Sequence, residues 1–161
     1  MVTVPRIDDG RAAPLFRVLV VEDYEPFRRL VCSMLRKQHD LRIVGEASDG
    51  LEAVRKADEL RPDLILFDVG LPTLNGIEAA RRARQLSPES KILFVSQETS
   101  VDVVQEALGL GALGYVAKRQ AGTELLPAIN QVCQGTRFVS SAVGEFVFVN
   151  VDSSEHLPTQ T

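Results

Sequence analysis

The sequence repeats one pattern five times, in which a short and nearly all-apolar run precedes a segment with apolar residues at helical spacing. Runs of this kind are typical of strands covered on both faces, and helices between them favour right-handed crossovers. The pattern predicts an α/β domain with a doubly wound, five-stranded parallel sheet and helices on both faces. The predicted strands are residues 17–21, 41–45, 63–67, 91–95 and 113–116. The predicted helices lie near residues 26–35, 50–60, 77–86, 101–108 and 123–134.

The composition of the chain argues against a disordered, a nucleic-acid-binding or a membrane-spanning protein. With 161 residues, 45% of them hydrophobic, the chain is expected to form one globular domain rather than a disordered polymer. Its net charge of −4 argues against bulk electrostatic binding to nucleic acid. No apolar run approaches the roughly 20 residues of a membrane helix. Cys32 and Cys133 have no metal-ligand spacing, and with no apolar leader they predict a cytoplasmic protein.

The domain boundaries follow from the same pattern. We expect a flexible extension over residues 1–15, the domain over residues 16–140 and a tail over residues 141–161 that is too short for an output domain. The tail contains an apolar, β-prone run at residues 146–149. This run is expected either to pack on the domain's own surface or to contact a second copy or a partner protein.

Polar residues follow four of the predicted strands: Glu22 and Asp23, Asp68, Ser96, and Lys118. Ligands of such sheets bind beyond the carboxyl ends of the strands, so these side chains are expected to meet at one edge. Three crowded carboxylates require a cation or a proton, and hard oxygen ligands suit Mg²⁺. A lysine and a hydroxyl beside them complete a site able to hold a phosphoryl group, which a carboxylate can accept as an acyl phosphate.

Each of these residues also has an ordinary structural interpretation. An acid after a strand commonly caps or precedes a helix, a serine forms a turn, and a lysine is a surface charge. Their joint occurrence at strand ends, in this order, favours a site over four coincidences.

Four stretches of the chain form recognisable motifs: residues 18–23, residues 62–68 with Leu71-Pro72 and Asn75-Gly76, residues 111–118, and residues 124–140. Together they resemble the receiver domain of two-component response regulators, and the last stretch resembles receivers of the NarL/FixJ type. The resemblance covers residues 16–140 and implies a flavodoxin-like sheet with strand order 2-1-3-4-5.

The resemblance implies a role for each acid. Asp68 is the expected acceptor of a phosphoryl group from the phosphohistidine of a histidine kinase or phosphotransfer protein. Asp23 and Asp68, with the backbone carbonyl of Gly70, are the expected Mg²⁺ ligands. Glu22 is expected to act mostly through a bound water.

The resemblance also implies how such a site signals. Lys118 is expected to pair with the phosphoryl oxygens, and Ser96 stands at the switch position. Tyr115 matches the aromatic residue that turns inward when that hydroxyl moves. The added charge would bias a two-state element built from the fourth helix and the fifth strand.

Two residues depart from the pattern. Arg119 follows Lys118 where many receivers have a proline after a cis bond, so that geometry is not assumed. Gln97 follows Ser96 where smaller residues are common, and its bulk predicts slow loss of the phosphoryl group.

The interpretation favoured by these residues is a stand-alone, phosphorylation-dependent switch. It is expected to contact a kinase, an unidentified downstream protein and a second copy of itself, to bind neither DNA nor membrane, and to catalyse only its own phosphoryl transfer and hydrolysis. Three alternatives are an unphosphorylated scaffold, a remnant of a DNA-binding regulator and a phosphohydrolase of the haloacid-dehalogenase type. The last expects an acid two residues after Asp68, where Gly70 stands.

Overall fold

The computed structural model describes residues 15–143, and these form one sheet with helices on both faces. The predicted N-terminal extension and the apolar run at residues 146–149 lie outside the described residues. A short 3-10 turn, Lys118–Gln120, precedes the last helix. In chain order the elements are β1 Phe16–Val21, α1 Glu25–Arg36, β2 Leu41–Ala47, α2 Gly50–Leu60, β3 Leu64–Phe67, α3 Gly76–Leu86, β4 Lys91–Ser96, α4 Val101–Gly109, β5 Gly114–Ala117, α5 Ala121–Cys133 and β6 Phe138–Val139.

All strand pairs are parallel, and the order is β2-β1-β3-β4-β5-β6. This confirms the predicted order 2-1-3-4-5 and the flavodoxin-like arrangement, but the prediction of five strands was one short. The extra strand, β6, contains only two residues, so it carries no readable periodicity. The chain returns to the sheet just after Gly135, whose φ of +84° is a conformation that glycine adopts readily.

Alternation along the strands divides the core between the two faces of the sheet. Val18 and Val20 of β1 face the cluster formed with α1 and α5, whereas Leu19 and Val21 face the cluster formed with α2, α3 and α4. Both cysteines are buried in the first cluster, and both are free. Among the described residues, no helix is long and apolar enough to cross a bilayer.

The loop after β3 brings α3 very close to the strand that it follows. Gly76 is the first residue of α3, and its N–H donates to the Val69 carbonyl at 2.7 Å. A Cβ at this position would lie 1.8 Å from the Asp68 carbonyl oxygen. Because that obstacle is backbone, only glycine allows the helix to start here, and the start of the helix fixes the backbone that carries Asp68.

We therefore expect Gly76→Ala to lower the free energy of unfolding by about 1–3 kcal/mol or more, since the clash forces the backbone apart. Gly122→Ala is the matched control, because Gly122 lies in α5 with nothing within 4 Å of the added Cβ. That control is expected to gain about 0.5–1 kcal/mol of stability from helix propensity. Urea denaturation of both variants measures the difference, and equal stabilities would contradict the close approach.

Candidate functional site

The ends of three strands bring two acids and a lysine into contact. Glu22 follows β1, Asp68 follows β3 and Lys118 follows β5. The Lys118 Nζ lies 2.8 Å from Glu22 Oε1 and 3.1 Å from Asp68 Oδ2. Only 3% of Glu22 and 5% of Asp68 are exposed, so both carboxylates are removed from water and depend on a nearby cation. The predicted meeting of these residues at one edge is therefore present in the fold.

Burial and charge oppose each other at this site. Burial raises the pKa of Glu22, and the hydrogen bonds from Lys118 and from the Tyr24 N–H only partly offset that effect. For Lys118, burial alone lowers the pKa, but Glu22 and Asp68 outweigh it and the pKa is raised. The lysine is thus held firmly in its charged form, as a counter-ion to buried acids must be.

The acids are also close enough to share a metal ion. Glu22, Asp23 and Asp68 each offer a carboxylate oxygen, and these oxygens lie within 4.8 Å of one another. Asp23 is exposed, which leaves the cluster open to water on one side. An all-oxygen, partly solvated set of this kind fits Mg²⁺, which retains several waters. The N–H of Gly70 lies 3.4 Å from Asp68 Oδ1, so this residue adjoins the cluster, and ligation through its carbonyl stays a prediction.

The acids open into a cleft of about 530 Å³. Its walls include Asp23, Asp68, Ser96, Gln97 and Lys118, which come from four different strand ends. Ser96 is buried at the end of β4, and its Oγ accepts a hydrogen bond from the Glu98 N–H at 3.1 Å. The cleft thus places a cation, a hydroxyl and a carboxylate around one space that is large enough to admit a phosphoryl group.

Tyr115 points into the protein from β5. It is fully buried, its ring centroid lies 6.0 Å from that of Phe94, and its hydroxyl donates to the Glu98 carbonyl. Burial raises the pKa of Tyr115 to about 12. The tyrosine is therefore neutral and ties β5 to the loop that carries Ser96 and Glu98, and its role as a switch residue stays a prediction.

The two departures from the receiver pattern are both accommodated at the surface. The Lys118–Arg119 peptide is trans, and Arg119 is exposed. Gln97 is exposed as well, and it lines the cleft beside Ser96. Neither residue displaces the acids or the lysine.

Two supporting residues on α1 are missed by sequence reasoning. The Lys118 Nζ lies 4.8 Å from the centroid of the Phe27 ring, a cation–π contact. Arg28 donates to the Glu22 carbonyl at 2.8 Å and to Glu46 Oε1 at 3.1 Å. Phe27 reads as an ordinary apolar helix residue, and the Arg28 contact uses a backbone acceptor that leaves no trace in the sequence. Together they hold Lys118 and Glu22 from the helix side.

Arg28→Ala is expected to destabilise the fold by about 1–3 kcal/mol, because it removes two hydrogen bonds from a largely buried guanidinium. Arg36→Ala is the matched control, since Arg36 reaches the same Glu46 at only 3.8 Å and is 65% exposed. The control is expected to change stability by less than about 0.5 kcal/mol. Denaturant unfolding distinguishes the two variants, and similar losses would assign Arg28 no special position.

Comparison with known proteins agrees with this geometry. The family model for the response regulator receiver domain matches residues 18–130. Among curated proteins, the transcriptional regulatory protein LiaR of Bacillus subtilis is 37% identical over 129 residues, which is 80% of this chain and 61% of LiaR. The chain therefore spans about three-fifths of the length of curated relatives that it matches.

Solved structures agree as well. A LuxR-family two-component response regulator from an Aurantimonas species has a TM-score of 0.80 at 29% identity, covering 84% of this chain and 97% of that one. The receiver domain of the putative response regulator NarL from Mycobacterium tuberculosis has a TM-score of 0.72 at 30% identity, covering 76% and 98%. With the acids, hydroxyl and lysine in place at the sheet edge, this chain belongs to the response regulator receiver domain family.

Proposed function

We propose that the protein is a phosphorylation-dependent signalling switch whose Asp68 accepts a phosphoryl group. The observation that carries the proposal is the pairing of Lys118 with both Asp68 and Glu22 beside a cluster suited to Mg²⁺. A carboxylate oxygen of Asp68 would form the new P–O bond while the P–N bond of a phosphohistidine breaks and the imidazole leaves. The donor would be a histidine kinase or a phosphotransfer protein.

The residues around Asp68 divide the work of this reaction. Asp23 and Asp68, together with the carbonyl of Gly70, would hold Mg²⁺, and Glu22 would contact it through water. Bound Mg²⁺ neutralises charge that develops on phosphoryl oxygens. Lys118 would follow the phosphoryl group, because its Nζ already lies 3.1 Å from Asp68 Oδ2 and the side chain is long and flexible.

Signalling would depend on Ser96 and Tyr115. The Ser96 hydroxyl lines the cleft and would hydrogen-bond a phosphoryl oxygen on Asp68. The Tyr115 hydroxyl donates a hydrogen bond to the carbonyl of Glu98, which lies in the same loop as Ser96. A shift of this loop would therefore change the position of the tyrosine. Phosphorylation would then bias α4 and β5 between two arrangements.

We further propose that the described domain acts through protein contacts, in the cytoplasm, and that its chemistry is limited to its own phosphoryl transfer and hydrolysis. Two adjacent arginines of α3, Arg81 and Arg82, both pair with Glu78, so their charge is partly neutralised. The whole chain has a net charge of −4, which argues against bulk electrostatic binding to nucleic acid. Both cysteines are buried free thiols, which fits a reducing compartment.

Acetyl phosphate with Mg²⁺ is expected to add one phosphoryl group to the protein, detected by intact mass. Asp68→Asn and removal of Mg²⁺ with a chelator are each expected to abolish the adduct. Asp102→Asn, which changes an exposed acid in the first turn of α4, is the matched control and is expected to react normally. An adduct that survives Asp68→Asn would contradict the assignment of Asp68 as the phosphoryl acceptor. The absence of an adduct in the wild-type protein would favour the unphosphorylated scaffold.

Gln97→Ala is expected to speed loss of the phosphoryl group severalfold, because the long side chain on the cleft wall restricts the approach of water to Asp68. The measurement is the decay of the phosphorylated form by intact mass after the donor is removed. Gln105→Ala, which shortens a glutamine on α4 away from the cleft, serves as the control. An unchanged decay rate in Gln97→Ala would remove the steric explanation.

A further inference from the structure

The end of the described chain returns to the edge of the sheet where the candidate site lies. β6 pairs in parallel with β5 through Gly114 with Phe138 and Tyr115 with Val139. The Ser140 N–H then donates to the Tyr115 carbonyl at 2.8 Å. Because β6 runs parallel to β5, the chain after Ser140 leaves at the carboxyl edge, the same edge that carries Lys118.

Side chains at the start of α5 and in the turn before it hydrogen-bond Ser140. It is fully buried, and its Oγ lies 2.6 Å from Gln120 Oε1 and in hydrogen-bond contact with Glu124 Oε1. A hydroxyl carries a single hydrogen, so it donates to one of these acceptors at a time. Ser141 adds two bonds to Glu124 Oε2, from its N–H at 3.2 Å and from its Oγ at 2.7 Å. We call the set Gln120, Glu124, Ser140 and Ser141 the Ser140 junction.

The Ser140 junction is tied to the phosphoryl site by very little chain. Gln120 ends the 3-10 turn that Lys118 begins, and the Ala121 N–H closes that turn on the Lys118 carbonyl. A displacement of the Lys118 backbone therefore displaces Gln120. On the other side, the carbonyl that holds Ser140 belongs to Tyr115, whose hydroxyl reaches Glu98 beside Ser96. Tyr115 is thus hydrogen-bonded directly to Ser140, and Lys118 is linked to Ser140 through Gln120.

The residues after Ser140 also pack on the face where Tyr115 lies. Val143 is buried in the core cluster that contains Tyr115 and α4 residues, and Val139 and Ala142 pack against that cluster. The Ala142 N–H lies 3.2 Å from Gln120 Oε1, and the Val143 N–H donates to the Ser140 carbonyl. Residues 140–143 therefore form a turn that is held by Gln120 and packed against the core cluster that contains Tyr115.

We propose that Ser140 is a positioning residue for the phosphoryl site, acting through Gln120 on Lys118 and through the Tyr115 carbonyl on β5. The proposal rests on the proposed function, namely phosphorylation at Asp68. Coupling of this kind is reciprocal: if the Ser140 junction steadies the site, then loading the site steadies the junction. Residues 140–143 would then respond to the state of Asp68.

The test uses beryllofluoride as a phosphoryl mimic on the full chain in saturating Mg²⁺. Ser140→Ala is expected to weaken beryllofluoride binding about fivefold or more, the lower end of usual coupling factors. Thr123→Ala is the matched control. The exposed Thr123 hydroxyl lies on α5 and contacts the Gln120 carbonyl at 3.3 Å, but not Ser140. Mg²⁺ binding without beryllofluoride is expected to be equal in all three proteins, which a general loss of structure would not allow.

Amide hydrogen exchange supplies the second readout. In the wild-type protein, beryllofluoride is expected to slow exchange both near Asp68 and over residues 140–143. In Ser140→Ala the protection near Asp68 is expected to remain at saturating mimic, while the protection over residues 140–143 is lost. If Ser140→Ala does not fold, Glu124→Ala, on a side chain at the rim of the junction, decides the matter by the same two measurements.

The outcomes separate the two proposals. Absence of Mg²⁺-dependent protection near Asp68 in the wild-type protein would refute the phosphoryl site itself. Normal protection near Asp68, with unchanged affinity in the folded Ser140 or Glu124 variant, would overturn the role of the Ser140 junction and leave the phosphoryl site intact.

Discussion

The arrangement of the site depends on the ion pairs between Lys118 and the two buried acids Glu22 and Asp68. Two carboxylates that are 3% and 5% exposed cannot remain charged side by side without a cation, and Lys118 supplies one at 2.8 and 3.1 Å. The strand order determines which residue can supply this cation. β1 and β3 are neighbours, but β4 separates β3 from β5. Only a long side chain at the end of β5 can reach across, and it passes the end of β4, where Ser96 lies.

Three contacts from neighbouring elements support the charged residues of the site. Gly76 lets α3 start against the Asp68 backbone, and Arg28 holds the Glu22 carbonyl from α1. Phe27 lies beneath the Lys118 ammonium group. None of the three is needed to accept a phosphoryl group, yet each limits the movement of a residue that the proposed reaction needs. The acids and the lysine are thereby held by contacts from α1 and from the start of α3.

How much of the structure can be predicted from sequence depends on whether side chains or backbone make the contact. The apolar runs predict the sheet, and the rule about strand ends brings Glu22, Asp68 and Lys118 together, since both depend on residue type and spacing alone. The acceptors of the Arg28 and Tyr115 contacts are backbone carbonyls, at Glu22 and Glu98, and carbonyls are the same in every residue. β6 escapes prediction for a different reason, because two apolar residues fit any local structure.

The short length of β5 is what makes coupling between its two ends credible. The strand has four residues, Gly114–Ala117, and three of its features are fixed at once. Its Tyr115 hydroxyl is bound to the Ser96 loop, its Tyr115 carbonyl to Ser140, and its C-terminal end leads directly into Lys118. A longer strand could absorb a displacement at one end by local bending. In this four-residue strand every residue pairs with β4, and Gly114 and Tyr115 also pair with β6, so a shift at Lys118 or Ser96 would reach Ser140 through residues that the sheet holds.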